Sequence, residues 1–109
     1  TQVIDADPLA AIREQLKNQD IKLSVNDFIV KACALALRQH PVINSGFNSA
    51  NQTIIQFKTI DIAIAVSVEA GLITPIVRHA DYKNLGELSL EIRSLAQRAR
   101  EGKLAPQEY

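Results

Sequence analysis

The chain has 109 residues, of which 12 are basic and 12 are acidic, so its formal net charge at pH 7 is zero. That length accommodates a single domain, and an apolar content of 47% argues against intrinsic disorder. A neutral chain lacks the basic surface of a nucleic-acid binder. No apolar run approaches the roughly 20 residues of a membrane-spanning helix. We therefore expect neither nucleic acid nor a membrane as a partner.

The first third of the sequence predicts two helices. Residues 8–18 have the apolar spacing of a short amphipathic helix, with Asp7 expected as its N-cap. A second helix begins after Ser24, which forms a capping-box pattern with Asp27, and it ends before Pro41. Apolar residues occupy nearly every face of this second helix, which predicts that it is buried on most sides.

The middle of the chain predicts β-structure. Residues 42–52 are rich in turn formers, and residues 53–57 form a strand pattern. From 60 to 68, large β-branched residues alternate strictly with small or polar ones, which predicts a strand with one bulky and one small face. Residues 72–77 return as the second arm of a β-hairpin, in which Pro75 has no backbone N–H to donate.

The last element is a helix over about residues 85–101, with one apolar stripe and Gly102 placed to end it. The order of elements is two helices, a strand, a hairpin and a helix. This order predicts an α+β fold with a β-hairpin at residues 60–77.

Three side chains are candidates for acid–base or nucleophilic chemistry. His40 lies at a helix C-terminus, where a cap that compensates the helix dipole is the favoured interpretation. His79 follows the hairpin with Asp81 nearby, and a solvated imidazole is favoured over a catalytic one tuned by that carboxylate. Cys33 lies in the middle of a helix and is expected to be a small buried hydrophobe. These residues form neither a complete catalytic constellation nor a metal site.

Two further groups carry weaker hypotheses. Residues 71–75 combine a glycine, a hydroxyl and an imino acid opposite a strand with a small face. This combination suits a channel wall, and an ordinary sheet rim packed on the core is the alternative. Arg13 is expected on a solvated helix face. Arg98, Arg100 and Lys103 are expected to be solvated as well, with a weak claim on a phosphate.

Several segments together resemble the catalytic core of the dihydrolipoamide acyltransferases, the core components of 2-oxo acid dehydrogenase complexes. The matching segments follow the order of the family and cover essentially the whole chain; they are residues 7–9, 23–32, 40–45, 61–67, 71–77 and 99–104. The residues around Ser24–Phe28 and Leu72–Val77 are most similar to the acetyltransferases of pyruvate dehydrogenase. Succinyl- and branched-chain acyltransferase cores remain alternatives.

The resemblance implies a partial chloramphenicol-acetyltransferase-like fold, with helices packed on a mixed sheet. It implies transfer of an acetyl group from dihydrolipoamide to coenzyme A, with the lipoyl group carried on an upstream domain that these residues do not include. It also implies homotrimers that assemble into a large core and meet other dehydrogenase-complex subunits through domains outside this sequence. The compartment would be cytoplasmic in a bacterium and the mitochondrial matrix in a eukaryote.

The resemblance assigns no catalytic residue here. The family's catalytic histidine belongs to a His-Arg-x-x-Asp-Gly motif that these residues lack. We therefore expect residues 1–109 to be the N-terminal half of an acyltransferase catalytic domain, without its lipoyl, subunit-binding and C-terminal catalytic segments, and inactive alone. The residues expected to line the substrate channel are Leu72, Ile73, Thr74 and Pro75. Alternatives of another kind are a non-catalytic assembly module and an antibiotic acetyltransferase of the same fold.

Overall fold

The computed structural model describes residues 1–109 and contains three α-helices and three two-stranded sheets. The helices are α1 (Asp7–Lys17), α2 (Val25–Gln39) and α3 (Leu85–Arg100). The strands are β1 (Ser45–Asn48), β2 (Thr53–Gln56), β3 (Ile62–Ala63), β4 (Val66–Val68), β5 (Gly71–Ile73) and β6 (Ile76–Val77). Short 3-10 helices span Pro41–Ile43, Ala80–Tyr82 and Pro106–Glu108. The α+β class is confirmed, with three separate antiparallel pairs in place of one mixed sheet. None of the helices is long and apolar enough to span a membrane.

The start of α1 differs from the prediction. Asp7 is the first helical residue and not the N-cap, which is Ala6, whose side chain makes no capping hydrogen bond. Instead, the carboxylate of Asp5 accepts from the backbone N–H of Asp7 at 3.0 Å. An upstream carboxylate thus takes the role expected of Asp7. No residue of α1 is buried.

Capping boxes start both of the longer helices. In α2 the predicted box is confirmed, because the N–H of Asp27 donates to Ser24 Oγ at 3.2 Å and the N–H of Ser24 donates to Asp27 Oδ2 at 2.8 Å. In α3, Asn84 and Glu87 exchange the same two hydrogen bonds. These side chains satisfy backbone donors that a helix leaves free in its first turn.

The expected burial of α2 on most sides is wrong. Its buried apolar residues are only Val30 and Ala34, and Ile29 is 52% exposed. The reason is that α3 and the 3-10 helix at Ala80–Tyr82 pack against a single stripe of α2. Cys33 lies outside that stripe and is exposed, so its expected role as a buried hydrophobe is also wrong.

The segment expected to consist of turns contains a strand. β1 pairs antiparallel with β2 and places Phe47 opposite Ile54. The residues of β1 have weak strand propensity, but the backbone of β2 supplies its hydrogen-bonding partner, and pairing overrides local preference. Most apolar side chains of this hairpin are exposed.

The core lies where α2 and α3 meet the chain around β3 and β6. Its buried members are Val30, Ala34, Ile60, Val77, Ala80, Leu88 and Leu95. The accessible surface of the chain is 8007 Å², against about 6,000 Å² for a compact monomer of the same mass. Its radius of gyration is 16.1 Å, against about 13 Å for a compact domain of this length. The fold therefore leaves much apolar surface available for packing.

Candidate functional site

The predicted hairpin is present, with one interruption. β4 pairs with β5 so that Val66 lies opposite Ile73, and β3 pairs with β6 in the same register. Between the two pairs, the N–H of Ile64 donates to the carbonyl oxygen of Pro75 at 2.9 Å. Pro75 has no N–H with which to return a hydrogen bond, and this breaks each predicted strand in two.

The two faces of the hairpin follow the predicted alternation. The β-branched residues are buried or half-buried on the inner face; they are Ile60, Ile62, Ile64, Val66 and Val68. The small and polar residues are exposed on the other face; they are Asp61, Ala63, Ala65 and Ser67. We call this second side, together with the exposed Leu72 and Thr74 of the return arm, the outer face. Its short side chains allow an extended ligand to approach the backbone closely.

The four predicted channel residues divide between these two faces. Leu72, which is 67% exposed, and Thr74 belong to the outer face. Ile73 is half-buried and Pro75 is fully buried, on the inner side of the hairpin. Because successive residues of a strand point to opposite sides, four consecutive residues do not line one wall. Only Leu72 and Thr74 are placed to meet a ligand on the outer face.

Asp61 lies at one end of the outer face, where its carboxylate accepts several hydrogen bonds. Its Oδ1 accepts from the backbone N–H of His79 at 2.9 Å, and its Oδ2 accepts from the Thr59 hydroxyl at 3.1 Å and lies 3.5 Å from Nη1 of Arg78. Partial burial by itself raises the pKa of Asp61, but these hydrogen bonds and the Arg78 charge outweigh burial and hold the pKa below its usual value. His79 adopts a left-handed backbone with φ of +50°, which turns its N–H toward Asp61.

Neither histidine forms a catalytic pair. His40 is the exposed C-cap residue of α2, as predicted. The side chain of His79 accepts or donates no hydrogen bond within the chain, and its ring centroid lies 6.1 Å from that of Tyr82. Asp81, the carboxylate nearest to it in the sequence, is buried against α2 instead, with Oδ2 3.8 Å from Nη1 of Arg38. A general base oriented by a carboxylate is therefore not assembled by these residues.

The cationic group at the end of α3 is largely neutralised within the chain. Arg98 binds Glu108 at 2.6 Å, and Lys103 lies 3.3 Å from Glu101. Arg100 alone has no ion pair there. This pairing leaves the group little charge to offer a phosphate.

The largest cavity was not predicted from the sequence. It has a volume of about 540 Å³ and lies between α1, the loop that follows it and α3. Its charged lining, which defines what we call the basic cleft, is Arg13, Glu14, Lys17, Lys22 and Arg93. Arg13 was expected only on a solvated face. Its neighbours in the cleft come from three elements, so no sequence window shows them together.

Curated relatives of this chain are components of one enzyme complex. The chain is 52% identical over 98 residues to the dihydrolipoyllysine-residue acetyltransferase component of the pyruvate dehydrogenase complex of Zymomonas mobilis, covering 90% of this chain and 22% of that protein. It is 46% identical over 104 residues to the mitochondrial component of the same name in Dictyostelium discoideum, covering 94% of this chain and 16% of that protein. The chain thus spans less than a quarter of the length of these relatives.

Solved structures have the same fold. The dihydrolipoamide acetyltransferase of Azotobacter vinelandii superposes with a TM-score of 0.88 at 33% identity, over 95% of this chain and 44% of that one. The cubic core of the pyruvate dehydrogenase multienzyme complex gives the same TM-score at 34% identity and the same coverage. The fold expected from the resemblance is confirmed.

The family profile covers the chain from end to end. The family described as 2-oxoacid dehydrogenases acyltransferase (catalytic domain) matches residues 1–109. This match agrees with the relatives and with the solved structures. The chain therefore belongs to the 2-oxoacid dehydrogenase acyltransferase family, within the catalytic domain.

Proposed function

We propose that this chain contributes to an acyltransferase that moves an acetyl group from dihydrolipoamide to coenzyme A and so forms acetyl-CoA. The observation that carries the proposal is the match of residues 1–109 to the catalytic domain of the family. The acetyl specificity is supported by relatives that are named as acetyltransferase components of pyruvate dehydrogenase complexes. Succinyl and branched-chain specificities are the alternatives that an acyl-donor comparison would distinguish.

The outer face of the hairpin is the part of this chain that we assign to the substrate channel. Thr74 is exposed and its hydroxyl makes no hydrogen bond within the chain, so it is free to bind an amide of an extended arm. Leu72 offers an exposed apolar surface, and the facing residues, such as Ala65, are small. These features fit the lipoyl arm and coenzyme A, both long flexible chains that contain amides. The lipoyl group, when bound, supplies the thiol that carries the acyl group.

Acyl transfer also requires a general base that deprotonates a thiol, and this chain does not assemble one. His40 and His79 have no orienting carboxylate, and neither is proposed as the base that deprotonates a thiol. We propose that residues 1–109 represent the N-terminal half of a catalytic domain, with the base outside them. The isolated chain would then show no turnover.

The proposal includes assembly into a larger particle. Similar structures form the cores of multienzyme complexes, and the exposed apolar surface of this chain suits burial between subunits. We propose homotrimers as the building blocks of such a core, with cytoplasmic location for a bacterial source and the mitochondrial matrix for a eukaryotic one. The same surface is the observation that favours the rival function, a non-catalytic assembly module.

The test is a transfer assay on the gene product that contains this sequence. Acetyl transfer between acetyl-CoA and dihydrolipoamide is measured for the wild type, Leu72→Trp and Leu90→Trp. The two leucines are similarly exposed, at 67% and 70%, but Leu90 lies on α3 away from the outer face. We expect Leu72→Trp to lower kcat/KM at least tenfold through steric obstruction, and Leu90→Trp to retain activity. An assembled protein with no transfer at all would support the assembly module and overturn the enzymatic proposal.

A further inference from the structure

Arg78 joins the hairpin to the C-terminal end of the chain. It directly follows β6, and its side chain is 53% exposed. Nη1 lies 3.5 Å from Oδ2 of Asp61, at one end of the outer face, and Nη2 donates to the carbonyl oxygen of Gln107 at 2.9 Å. Because a guanidinium is planar and rigid, contacts from its two terminal nitrogens fix Asp61 and Gln107 relative to each other.

The C-terminal segment, as we call residues 104–108, is held at two further points. Leu104 is half-buried against the core. The carboxylate of Glu108 accepts from the N–H of Ala105 at 3.2 Å and from Nη1 of Arg98 at 2.6 Å. The N–H of Ala105 and, secondly, the Arg98 guanidinium hold the pKa of Glu108 below its usual value. The ion pair that ties the segment to α3 therefore stays charged at neutral pH.

The contact from Arg78 is the only hydrogen bond between the hairpin and the C-terminal segment. No other residue from 60 to 78 donates to or accepts from residues 104–108. The packing of Leu104 is apolar and therefore non-directional, whereas a hydrogen bond has a preferred geometry. The orientation of the segment relative to the outer face thus depends on Arg78.

We propose that Arg78 is a positioning residue for acyl transfer, which aligns the outer face of the hairpin with the C-terminal segment. This inference rests on the proposed function, in which the outer face binds substrate and the general base lies in a C-terminal half that follows this segment. Bound thiol and base must then meet across the contact between Arg78 and Gln107. A misplacement of about 1 Å between reacting groups can lower a rate about 100-fold, so a fixed alignment has catalytic value.

The primary test measures kcat and KM for acetyl transfer, per folded protein, in the gene product that contains this sequence. Arg78→Gln should lower kcat about tenfold and leave KM within about twofold, because the outer face still binds substrate but is misaligned with the base. Arg100→Gln is the matched control, since Arg100 is an exposed arginine of α3 without an ion pair, and it should change neither constant. A loss confined to KM or to the yield of folded protein would overturn the positioning role.

Two further variants separate the geometry of Arg78 from its charge and from local effects on the hairpin. Arg78→Lys keeps the charge beside Asp61 but not the planar pair of donors, so kcat should stay lowered. Arg98→Gln releases Glu108 from α3 without changing a hairpin residue, and it should lower kcat severalfold with KM unchanged. Wild-type kcat in either variant would overturn the proposed alignment.

Hydrogen exchange keeps this inference separate from the proposed function. Mass spectrometry of the same gene product follows a peptide that covers residues 104–109. Arg78→Gln should speed exchange of the Glu108 and Tyr109 amides about fivefold, because the 3-10 helix that they close loses its contact with the hairpin. Arg100→Gln should not. Faster exchange in an inactive protein would support the contact and overturn only the proposed function, whereas unchanged exchange would overturn the role of Arg78.

Discussion

The backbone N–H of Ile64 donates to the carbonyl oxygen of Pro75 at 2.9 Å, and Pro75 returns no hydrogen bond because its nitrogen carries no hydrogen. One hydrogen bond is therefore missing from the ladder between the two arms of the hairpin, while the strand pairs on either side keep a common register. On the outer face, Ala65 and Thr74 lie between those pairs and remain exposed. The hairpin thus keeps the exposed outer face continuous across the gap in its ladder.

Hydrogen exchange tests this arrangement directly. The amide of Ile64 is bonded to Pro75, whereas the amide of Ala65 has no backbone partner and points to the free edge. In dilute solution we expect Ile64 to exchange at least tenfold more slowly than Ala65, as measured by NMR. Equal rates, or a protected Ala65, would contradict the register.

Two neighbouring leucines of α3 test the location of the core. Leu88 is fully buried and Leu90 is 70% exposed on the same helix. Leu88→Ala should lower the free energy of unfolding by about 2–5 kcal/mol, through lost burial and the cavity that it leaves. Leu90→Ala, the matched control, should change it by less than about 0.5 kcal/mol. Urea denaturation measures both, and similar losses in the two variants would disprove the packing described.

The environment of Asp61 predicts a dependence of stability on pH. Because the folded pKa of this carboxyl is lowered, its stabilising contribution is complete above the unfolded pKa of about 3.9 and is lost as pH falls through the lower folded value. The difference in free energy of unfolding between wild type and Asp61→Asn should therefore be largest above pH 5 and shrink below pH 4.

Urea denaturation from pH 7 to pH 3 measures that difference. Glu69→Gln is the control, because this exposed carboxylate accepts no hydrogen bond in the structure. A difference between wild type and Asp61→Asn that stays constant over the whole range would contradict the role of the charged hydrogen bonds to His79 and Thr59.

The open strands predict self-association. All three sheets have only two strands, so every strand has a free edge that invites pairing. Ile54 in β2 is 76% exposed, and Ile54→Lys should reduce association by placing a charge on that edge. Val3→Lys, at an exposed position outside every strand, is the control. Light scattering at increasing concentration should show masses above the monomer for wild type; a monomer throughout would contradict this expectation.

Local signals in the sequence predicted the start of α2, the end of α3 and the strand faces, but not the N-cap of α1. The capping box of Ser24 and Asp27 involves residues three apart, and Gly102, which was predicted to end α3, has a positive φ of +69°. Predicting which side chains are buried required knowledge of the elements that pack around them. Cys33 lies among apolar residues, which predicted burial, but no element of this chain covers its side of α2.

The candidate site was predictable only in part, because part of it depends on elements that are distant in the sequence. The alternation from 60 to 68 revealed the small face, and applying the same alternation to the return arm would have separated Leu72 and Thr74 from Ile73 and Pro75. The basic cleft combines residues of α1, the loop that follows it and α3, which no local pattern places together.

The most direct measurement of the central claim is protection of Thr74→Cys by substrate. In the gene product that contains this sequence, with Cys33→Ser, a thiol-reactive probe labels Thr74→Cys or, as a control, Leu90→Cys. If the outer face lines the acyl-transfer channel, acetyl-CoA at saturating concentration should slow labelling of Thr74→Cys at least fivefold and leave Leu90→Cys unchanged. Labelling of Thr74→Cys at the same rate with and without acetyl-CoA would contradict the account.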